Sequence, residues 1–333
     1  MTKILPRHLL KFLSIVPRFI LSINDKFGCL IWFFKKKDYS SISEISFRNR
    51  DFSKFAICLQ GPCAKPEKVT QLIDFFFQNY PGVKIFYNTT GVFYHQKAEV
   101  KTINHPKNFG FGYFNSIVIH LKDMLENAQQ LNCLYALKIR DDLSVTDPDA
   151  LDYLHSLIEN FKGSNGQRIF FSHLHSRLHI PFHVCDFMIF GTVKDLLGMI
   201  KATKLHDKTI TKQEWLSELK GKIKISDLQK STHNPHVSFG RAAFEFFSGR
   251  QISKEYHANW LDWQNLIRED IGFFNLHDVG VFYDRDESIL FYPSHPYDSL
   301  FEQITTKKWL TLMQIEFSDI KDQGPIFDEN TFY

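Results

Sequence analysis

The stretch Leu134–Val145 constrains the fold of this chain more than any other part of its sequence. A short apolar run, residues 134–139, is followed at once by the charged residues Arg140, Asp141 and Asp142. A brief apolar run with an abrupt polar break predicts a buried strand. Two adjacent carboxylates repel each other unless a cation lies between them and a partner, so the pair indicates a cation-binding position. Because open α/β sheets bind ligands at the carboxyl ends of their strands, the pattern predicts a cation-dependent ligand site there.

The same charged residues have a simpler explanation as the start of a loop. Residues 146–148, Thr-Asp-Pro, are typical of a helix start. In this explanation Asp141 and Asp142 merely open the loop before it, and Asp142 is a solvated cap. The alternative is a hard divalent ion, Mg²⁺ or Mn²⁺, which takes oxygen ligands and bridges carboxylates to a nucleotide diphosphate. Arg140 would contact a phosphate or pair with Asp141. The sequence pattern leaves both explanations open.

Apolar runs and amphipathic segments alternate along most of the chain. Strands are expected over residues 55–59, 83–87, 98–103, 134–139, 168–171 and 187–190, and helices over 66–80, 113–131, 150–161, 193–201 and 238–247. This order, with short polar loops, predicts an α/β fold in which helices flank a mostly parallel sheet. Two more short strands are expected near the end of the chain, at residues 279–282 and 288–291, among aromatic-rich loops. Residues 202–235 are polar and rich in Lys, which indicates a variable excursion.

The composition sets broad bounds on the class of protein. With 333 residues, the chain is long enough for one large α/β domain or two smaller ones. A formal net charge of +3 says little about partners. The five cysteines form no Cys-x-x-Cys pair, and Cys58 and Cys133 lie in apolar strand-like runs. Buried thiols in a reducing cytosol are therefore expected, rather than a disulfide framework.

Residues 1–38 differ in character from everything after them. Their apolar blocks are interrupted by basic residues and end in three lysines, residues 35–37. No uninterrupted apolar run is long enough for a membrane span, and the cations argue against a signal peptide. The mixture predicts an amphipathic helical segment at an anionic membrane surface, with Trp32 at headgroup depth. The alternative is a helical hairpin packed on the main domain. Residues 39–52 are expected to be a linker, and residues 53–333 the main domain.

Three further clusters carry candidate site residues. The first strand runs into Gln60-Gly61-Pro62, a sharp turn whose backbone amides suit a base or ribose. Asp186 stands just before an apolar strand, and the four histidines at positions 173, 175, 179 and 183 precede or join it. Without a cysteine or carboxylate ligand pattern, these histidines are expected to bind substrate or face water rather than hold zinc. Glu245 interrupts an aromatic helix face, where it either reaches solvent or is held at a site.

Three motifs together resemble the WavE-type lipopolysaccharide-core glycosyltransferases of Gram-negative bacteria. Those proteins carry Gln-Gly-Pro after the first strand, Lys-x-Arg-x-Asp-Leu at the end of the central strand, and Pro-Phe-His-x-x-Asp before a strand ending in Phe-Gly. Here the matching residues are 60–62, 138–143 and 181–191. The resemblance covers roughly residues 55–250. It implies a GT-A-like, Rossmann-like domain that moves a sugar from a nucleotide-diphosphate donor to a lipopolysaccharide-core or other lipid-linked acceptor.

The resemblance also implies roles for individual residues. Asp142, alone or with Asp141, would be the ligand of Mg²⁺ or Mn²⁺. If the enzyme inverts, Asp186 or Glu245 would take the proton of the acceptor hydroxyl, and His183 would bind the acceptor. The nucleotide sugar would contact Gln60, Gly61, Pro62, Asn115, Arg140 and Asp141. Asn115 alone remains of an Asn, Arg and Gln set that the family tends to carry on the helix before the central strand. The protein would work at the cytoplasmic face of the bacterial inner membrane as a peripheral protein, with no nucleic-acid partner.

Two other functional classes use some of the same features. A nucleotidyltransferase acting on sugar phosphates would employ the same strand-end acids. It should, however, carry a Gly-rich basic loop after the first strand, for which Cys63-Ala64-Lys65 is a poor substitute. A non-catalytic membrane-associated adaptor would explain residues 1–38. It would explain neither the paired acids nor the Gln-Gly-Pro turn.

Overall fold

A computed structural model of the chain describes residues 51–164, 166, 168–173, 176, 180–209, 235–253, 256–283, 304 and 306–313. These residues belong to one compact unit. The predicted membrane segment at residues 1–38, most of the linker, most of the polar excursion and the strand expected at 288–291 lie outside the described residues. The same holds for the histidines at positions 175 and 179.

A seven-stranded mixed sheet forms the centre of the described part of the chain. The strands are β1 (Phe55–Gly61), β2 (Lys84–Thr89), β3 (Glu99–Thr102), β4 (Tyr135–Arg140), β5 (Leu143–Val145), β6 (Ile169–Ser172), β7 (Cys185–Thr192), β8 (Ile271–Phe274) and β9 (Val281–Tyr283). Their order in the sheet is β3-β2-β1-β4-β7-β6-β8, and β5 pairs with β9 in a separate small sheet. Only β7 runs against the other strands of the large sheet. The prediction of an α/β fold with a mostly parallel sheet is confirmed.

Helices follow the strands and cover the sheet. They are α1 (Pro66–Asn79), α2 (Phe114–Gln130), α3 (Ala150–Asn160), α4 (Val193–Ala202), α5 (Pro235–Ser248), α6 (Tyr256–Glu269) and α7 (Thr306–Leu312). Proline at its first position suits the start of α1, and its apolar stripe is buried. Helix α2 packs on β1 and β2 and beside α4, which in turn contacts α5. No helix within the described ranges is both long enough and apolar enough to cross a membrane.

The chain path creates a topological switch point between β1 and β4. From β1 the chain adds β2 and then β3 on one side, and it returns through α2 to place β4 on the other side of β1. Gln60 is paired with Arg140 across this junction, and the Asp141 N–H donates to the Gln60 carbonyl at 3.0 Å. In open α/β sheets the crevice at such a point is where ligands bind. The Arg-Asp-Asp motif therefore ends its strand at the position where this topology favours a site.

Several local predictions were wrong, each because a contact distant in sequence decided the structure. Asn88 and Thr89 lie beyond the strand predicted at residues 83–87, yet they end β2 and are buried, since the Asn88 amide donates to the His120 carbonyl and to Asp123. Residues 143–145 form β5 because β9 lies beside them, 136 or more positions later in the chain. The chain after residue 250, expected as loops and short strands, also contains α6 and β8.

Candidate functional site

Asp141 is enclosed by the loop that follows β1. The carboxylate is 8% exposed, and its Oδ2 accepts hydrogen bonds from the Cys63 N–H and the Tyr87 hydroxyl, both at 2.8 Å. A Cβ on Gly61 would lie only 1.7 Å from Asp141 Oδ1, so residue 61 has to be glycine for the carboxylate to sit there. Burial raises the pKa of Asp141, and the two hydrogen bonds oppose that rise. Asp141 thus joins the ends of β1, β2 and β4.

The loop at residues 61–63 has an unusual backbone that makes this contact possible. Cys63 adopts a left-handed conformation with φ of 57° and directs its N–H to Asp141. Cys63 is buried, whereas Pro62 beside it is exposed. Gly91, from the loop after β2, comes so close that a Cβ there would lie 2.8 Å from the Pro62 carbonyl oxygen. The loops that follow β1 and β2 therefore meet beside the end of β4.

Asp142 forms a bidentate ion pair with Arg140. Arg140 Nε donates to Oδ1 at 2.8 Å and Nη2 donates to Oδ2 at 2.5 Å, and the Arg140 guanidinium carbon lies 4.4 Å from the centre of the Phe187 ring. The proposed pairing of Arg140 with Asp141 is therefore wrong. The helix-cap explanation of Asp142 is also wrong, because β5 begins at the next residue and the N-cap of α3 is Asp149.

Two polar residues predicted to contact the nucleotide sugar make hydrogen bonds inside the protein. Gln60 is buried and donates from Nε2 to the Ile117 carbonyl at 2.9 Å, while its Oε1 has no hydrogen-bond partner among the described residues. Asn115 donates to the carbonyls of Asn108 and His206 and accepts from the His206 N–H. Asn115 therefore joins two loops at the start of α2. Its contact with a nucleotide sugar stays a prediction.

Asp186 belongs to a buried polar cluster rather than preceding its strand. It is the second residue of β7 and 4% exposed. Lys138, fully buried on the neighbouring β4, donates to the Asp186 main-chain oxygen, and its Nζ lies 3.8 Å from Oδ2. On the other side, His236 Nδ1 lies 3.5 Å from Oδ1. Burial lowers the pKa of Lys138, and the negative charge of Asp186 opposes that change.

The two remaining predicted residues, His183 and Glu245, differ in how close they lie to this cluster. His183 is buried, with its ring centre 5.1 Å from that of His236. Glu245 accepts a hydrogen bond from Lys204 at 3.1 Å, nine residues after His236 on the same helix. At 1.5 Å per residue, that is about 13 Å further along α5. The structure brings His183 and Asp186 together but gives Glu245 an ion pair elsewhere, and its role as the base stays a prediction.

Sequence reasoning gave no role in the site to four residues of this region: Cys63, Tyr87, Lys138 and His236. Lys138 carried a signal, since a charged residue in the middle of an apolar strand needs a buried partner. The other three have no local signature. Tyr87 lies within an ordinary strand, and His236 is next to the polar excursion.

The side chains at the strand ends are compatible with a divalent cation held partly by a substrate. Within the described part of the chain, no group of three or more His, Cys, Asp or Glu side chains could hold a metal ion by itself. Mg²⁺ is commonly bound by one or two carboxylates together with phosphate oxygens. Asp142 fits this mode because it is part-exposed and its present partner, Arg140, can equally bind a phosphate in bidentate fashion.

Comparison with known proteins identifies no family for this chain. No protein-family model matches the chain, and no curated protein gives a significant match to it.

Proposed function

We propose that this chain is a glycosyltransferase of the WavE type with a GT-A-like domain. It moves a sugar from a nucleotide-diphosphate donor to a lipopolysaccharide-core or other lipid-linked glycan acceptor. The observation that carries the proposal is the position of Asp141 and Asp142, which directly follow β4 at the switch point beside the Gly61 loop. A paired-acid motif at this crevice is suited to a metal-bound diphosphate.

The architecture around the motif supports a GT-A-like assignment. The acidic strand end lies between parallel β1 and the single reversed strand β7. The chain leaves the acids into β5, which forms a small separate sheet with β9. The crevice is thereby bordered by loops from both halves of the large sheet. One side is available for a nucleotide and the other for an acceptor.

The side chains have distinct tasks in this proposal. Asp142 would hold Mg²⁺ or Mn²⁺, and the ion would offset the charge that develops on the diphosphate leaving group. Arg140 would turn from Asp142 to a phosphate oxygen, since a guanidinium binds both anions in the same bidentate way. Asp141 keeps the Gly61 loop closed on β4, and the exposed Pro62 faces the nucleotide.

The acceptor and the location follow from the same proposal. A lipid-linked acceptor would reach the enzyme at a membrane surface, and the basic, apolar residues 1–38 would hold the protein there. The protein would then be peripheral, at the cytoplasmic face of the bacterial inner membrane. His183 and Asp186 lie on the side of the crevice next to β7, where an acceptor would approach.

A thermal-shift screen of nucleoside diphosphates and nucleotide sugars, with and without Mn²⁺, tests the proposal. A ligand that binds only the folded state raises the melting temperature, so we expect a rise with at least one nucleotide and only when Mn²⁺ is present. Asp142→Asn should abolish that rise, because an amide does not supply the charge that a hard cation needs. Asp74→Asn is the matched control, since Asp74 is also part-exposed and ion-paired, to Lys97 at 2.8 Å.

The same screen can refute the proposal. A wild-type protein that no nucleotide stabilises in the presence of Mn²⁺ would argue against a nucleotide-sugar enzyme. An Asp142→Asn variant with the full metal-dependent rise would remove Asp142 from the metal site. Release of nucleoside diphosphate from the stabilising nucleotide sugar then measures transfer or hydrolysis directly.

A further inference from the structure

His236, in the first turn of α5, is held in one tautomer by the protein. Its Nδ1 lies 3.1 Å from the Val184 carbonyl oxygen, and the Val184 N–H approaches the His236 carbonyl at 3.4 Å. A carbonyl oxygen only accepts hydrogen bonds, so Nδ1 has to carry the proton. In the neutral ring Nε2 is then the basic nitrogen.

We propose that His236 is the general base of the transfer reaction and that Asp186 is its positioning residue. The inference rests on the proposed function and assigns the base, which sequence reasoning had given to Asp186 or Glu245. His236 Nε2 would take the proton of the acceptor hydroxyl. Asp186, 3.5 Å from Nδ1, would orient the ring and stabilise the imidazolium that forms.

The position of His236 suits this task. Phe187, the residue after Asp186, packs under the guanidinium of Arg140, which in turn binds Asp142. Asp186, which His236 approaches, is thus the neighbour in β7 of the residue that packs against Arg140. The ring is about a quarter exposed, whereas Asp186 is 4% exposed, so the histidine is the member of the pair that an acceptor can reach.

The charges around the ring favour a histidine base over a carboxylate base. Lys138, from β4, balances the charge of Asp186. His183, before β7, is a further titratable neighbour, with its ring centre 5.1 Å from that of His236. An unperturbed imidazole titrates near pH 6.5, closer to neutral pH than a carboxylate, and a base works best when its pKa is near the working pH. Glu245 is committed to Lys204, further along the helix.

The chemical step balances without any further reagent. The acceptor O–H bond breaks and its proton moves to His236 Nε2, while the acceptor oxygen forms a bond to the anomeric carbon of the donor. The bond between that carbon and the diphosphate oxygen breaks, and its electron pair leaves with the nucleoside diphosphate. A single displacement of this kind inverts the configuration at the anomeric carbon.

Two measurements on the full chain test the inference. The first is nitrogen NMR with ¹⁵N-labelled histidine rings. We expect one Nδ1-protonated ring whose signal is lost in His236→Gln, and whose pKa falls in Asp186→Asn because a nearby negative charge is removed. An Nε2-protonated His236 ring, or one that Asp186→Asn leaves unchanged, would overturn the inference.

The second measurement is transfer with the donor that stabilises the wild type. His236→Gln should lower kcat about 10²–10⁴-fold, the usual contribution of a general base, and leave the donor-induced thermal shift intact. Asp186→Asn should lower kcat less and move the acidic limb of its pH profile. His155→Gln is the control, because His155 lies on α3 and packs against Phe55 and Tyr135.

The outcomes separate the two proposals. Transfer by the wild type together with unchanged kcat in His236→Gln overturns this inference alone. A wild-type protein that binds no nucleotide and transfers no sugar overturns the proposed function and, with it, the role of His236. Loss of kcat with retained donor binding and the Nδ1 tautomer supports both.

Discussion

Replacing Gly61 with alanine should strongly destabilise the fold, because the new methyl group would overlap the Asp141 carboxylate. A Cβ at residue 61 would lie 1.7 Å from Oδ1 and 2.0 Å from the carboxylate carbon. The two strands cannot move apart freely, because β1 pairs with β4 along its length, from Phe55 opposite Tyr135 to Gln60 opposite Arg140. The carboxylate would therefore have to leave, and it would lose its bonds from the Cys63 N–H and the Tyr87 hydroxyl.

The size of the loss follows from those two hydrogen bonds. A hydrogen bond to a charged group contributes about 1.5–3 kcal/mol, so the free energy of unfolding should fall by about 3–6 kcal/mol. Domains of ordinary stability unfold with about 5–15 kcal/mol, so this is a large part of the total. For a domain of this size, 1 kcal/mol corresponds to about 2–4 °C, which predicts a fall in Tm of about 6–24 °C.

Urea unfolding followed by circular dichroism measures the effect as a lower midpoint with an unchanged slope. Gly191→Ala is the matched control, since a Cβ there meets the flexible side chain of Leu196 at 3.3 Å and should cost about 1 kcal/mol. In an Asp141→Ala background the obstacle is gone, so Gly61→Ala should cost far less than in the wild type. A loss below about 1 kcal/mol in the wild type, or equal losses in both backgrounds, would refute the reasoning.

Three further predictions concern other parts of the chain. Lys138→Met should lower the free energy of unfolding by about 3–5 kcal/mol, because it leaves the Asp186 charge buried without its cation. Adding Asp186→Asn should restore much of the lost stability, so additive losses in urea unfolding would contradict this prediction. Glu245→Gln should leave turnover near wild type and change stability by less than about 1 kcal/mol, because its partner is exposed; a steep loss of kcat would return Glu245 to the list of candidate bases. The full-length protein should sediment with anionic vesicles, more weakly at high salt, whereas a truncated variant beginning at Ser43 should not; equal sedimentation of the two would refute the membrane role of residues 1–38.

The sequence predicted the scaffold well because the signals that specify it are local. The run at residues 134–139 ends in charged residues, and the structure has β4 over Tyr135–Arg140. Pro66 begins α1, and the predicted end of that helix at residue 80 is within one position of the observed end. Cys58 and Cys133 are buried thiols, as their apolar neighbours indicated. The spacing of apolar residues and the positions of proline and glycine can all be recognised within a short stretch of sequence.

The site could be predicted only in part. The strand-end acids and the Gln-Gly-Pro turn were identified from sequence, and the structure joins them through Asp141 and the Gly61 loop. The partner of each charged group was not predictable, however. Arg140 binds Asp142 rather than Asp141, because the Asp141 carboxylate is held by the Cys63 N–H and the Tyr87 hydroxyl, while Asp142 lies within reach of the guanidinium in the turn between β4 and β5. Asn115 was predicted to bind a ligand, yet its amide bonds join two loops.

Sequence by itself therefore determined that this chain forms strands and helices in α/β order, and that a pair of acids ends a buried strand. Tertiary structure decided the order of the strands and hence which loops meet at that end. It also decided that Lys138 is balanced by Asp186, 48 positions away, and that Asp186 lies against His236, 50 positions further on. Such pairings depend on which strand lies beside which and in what register, and no local window of sequence contains that information.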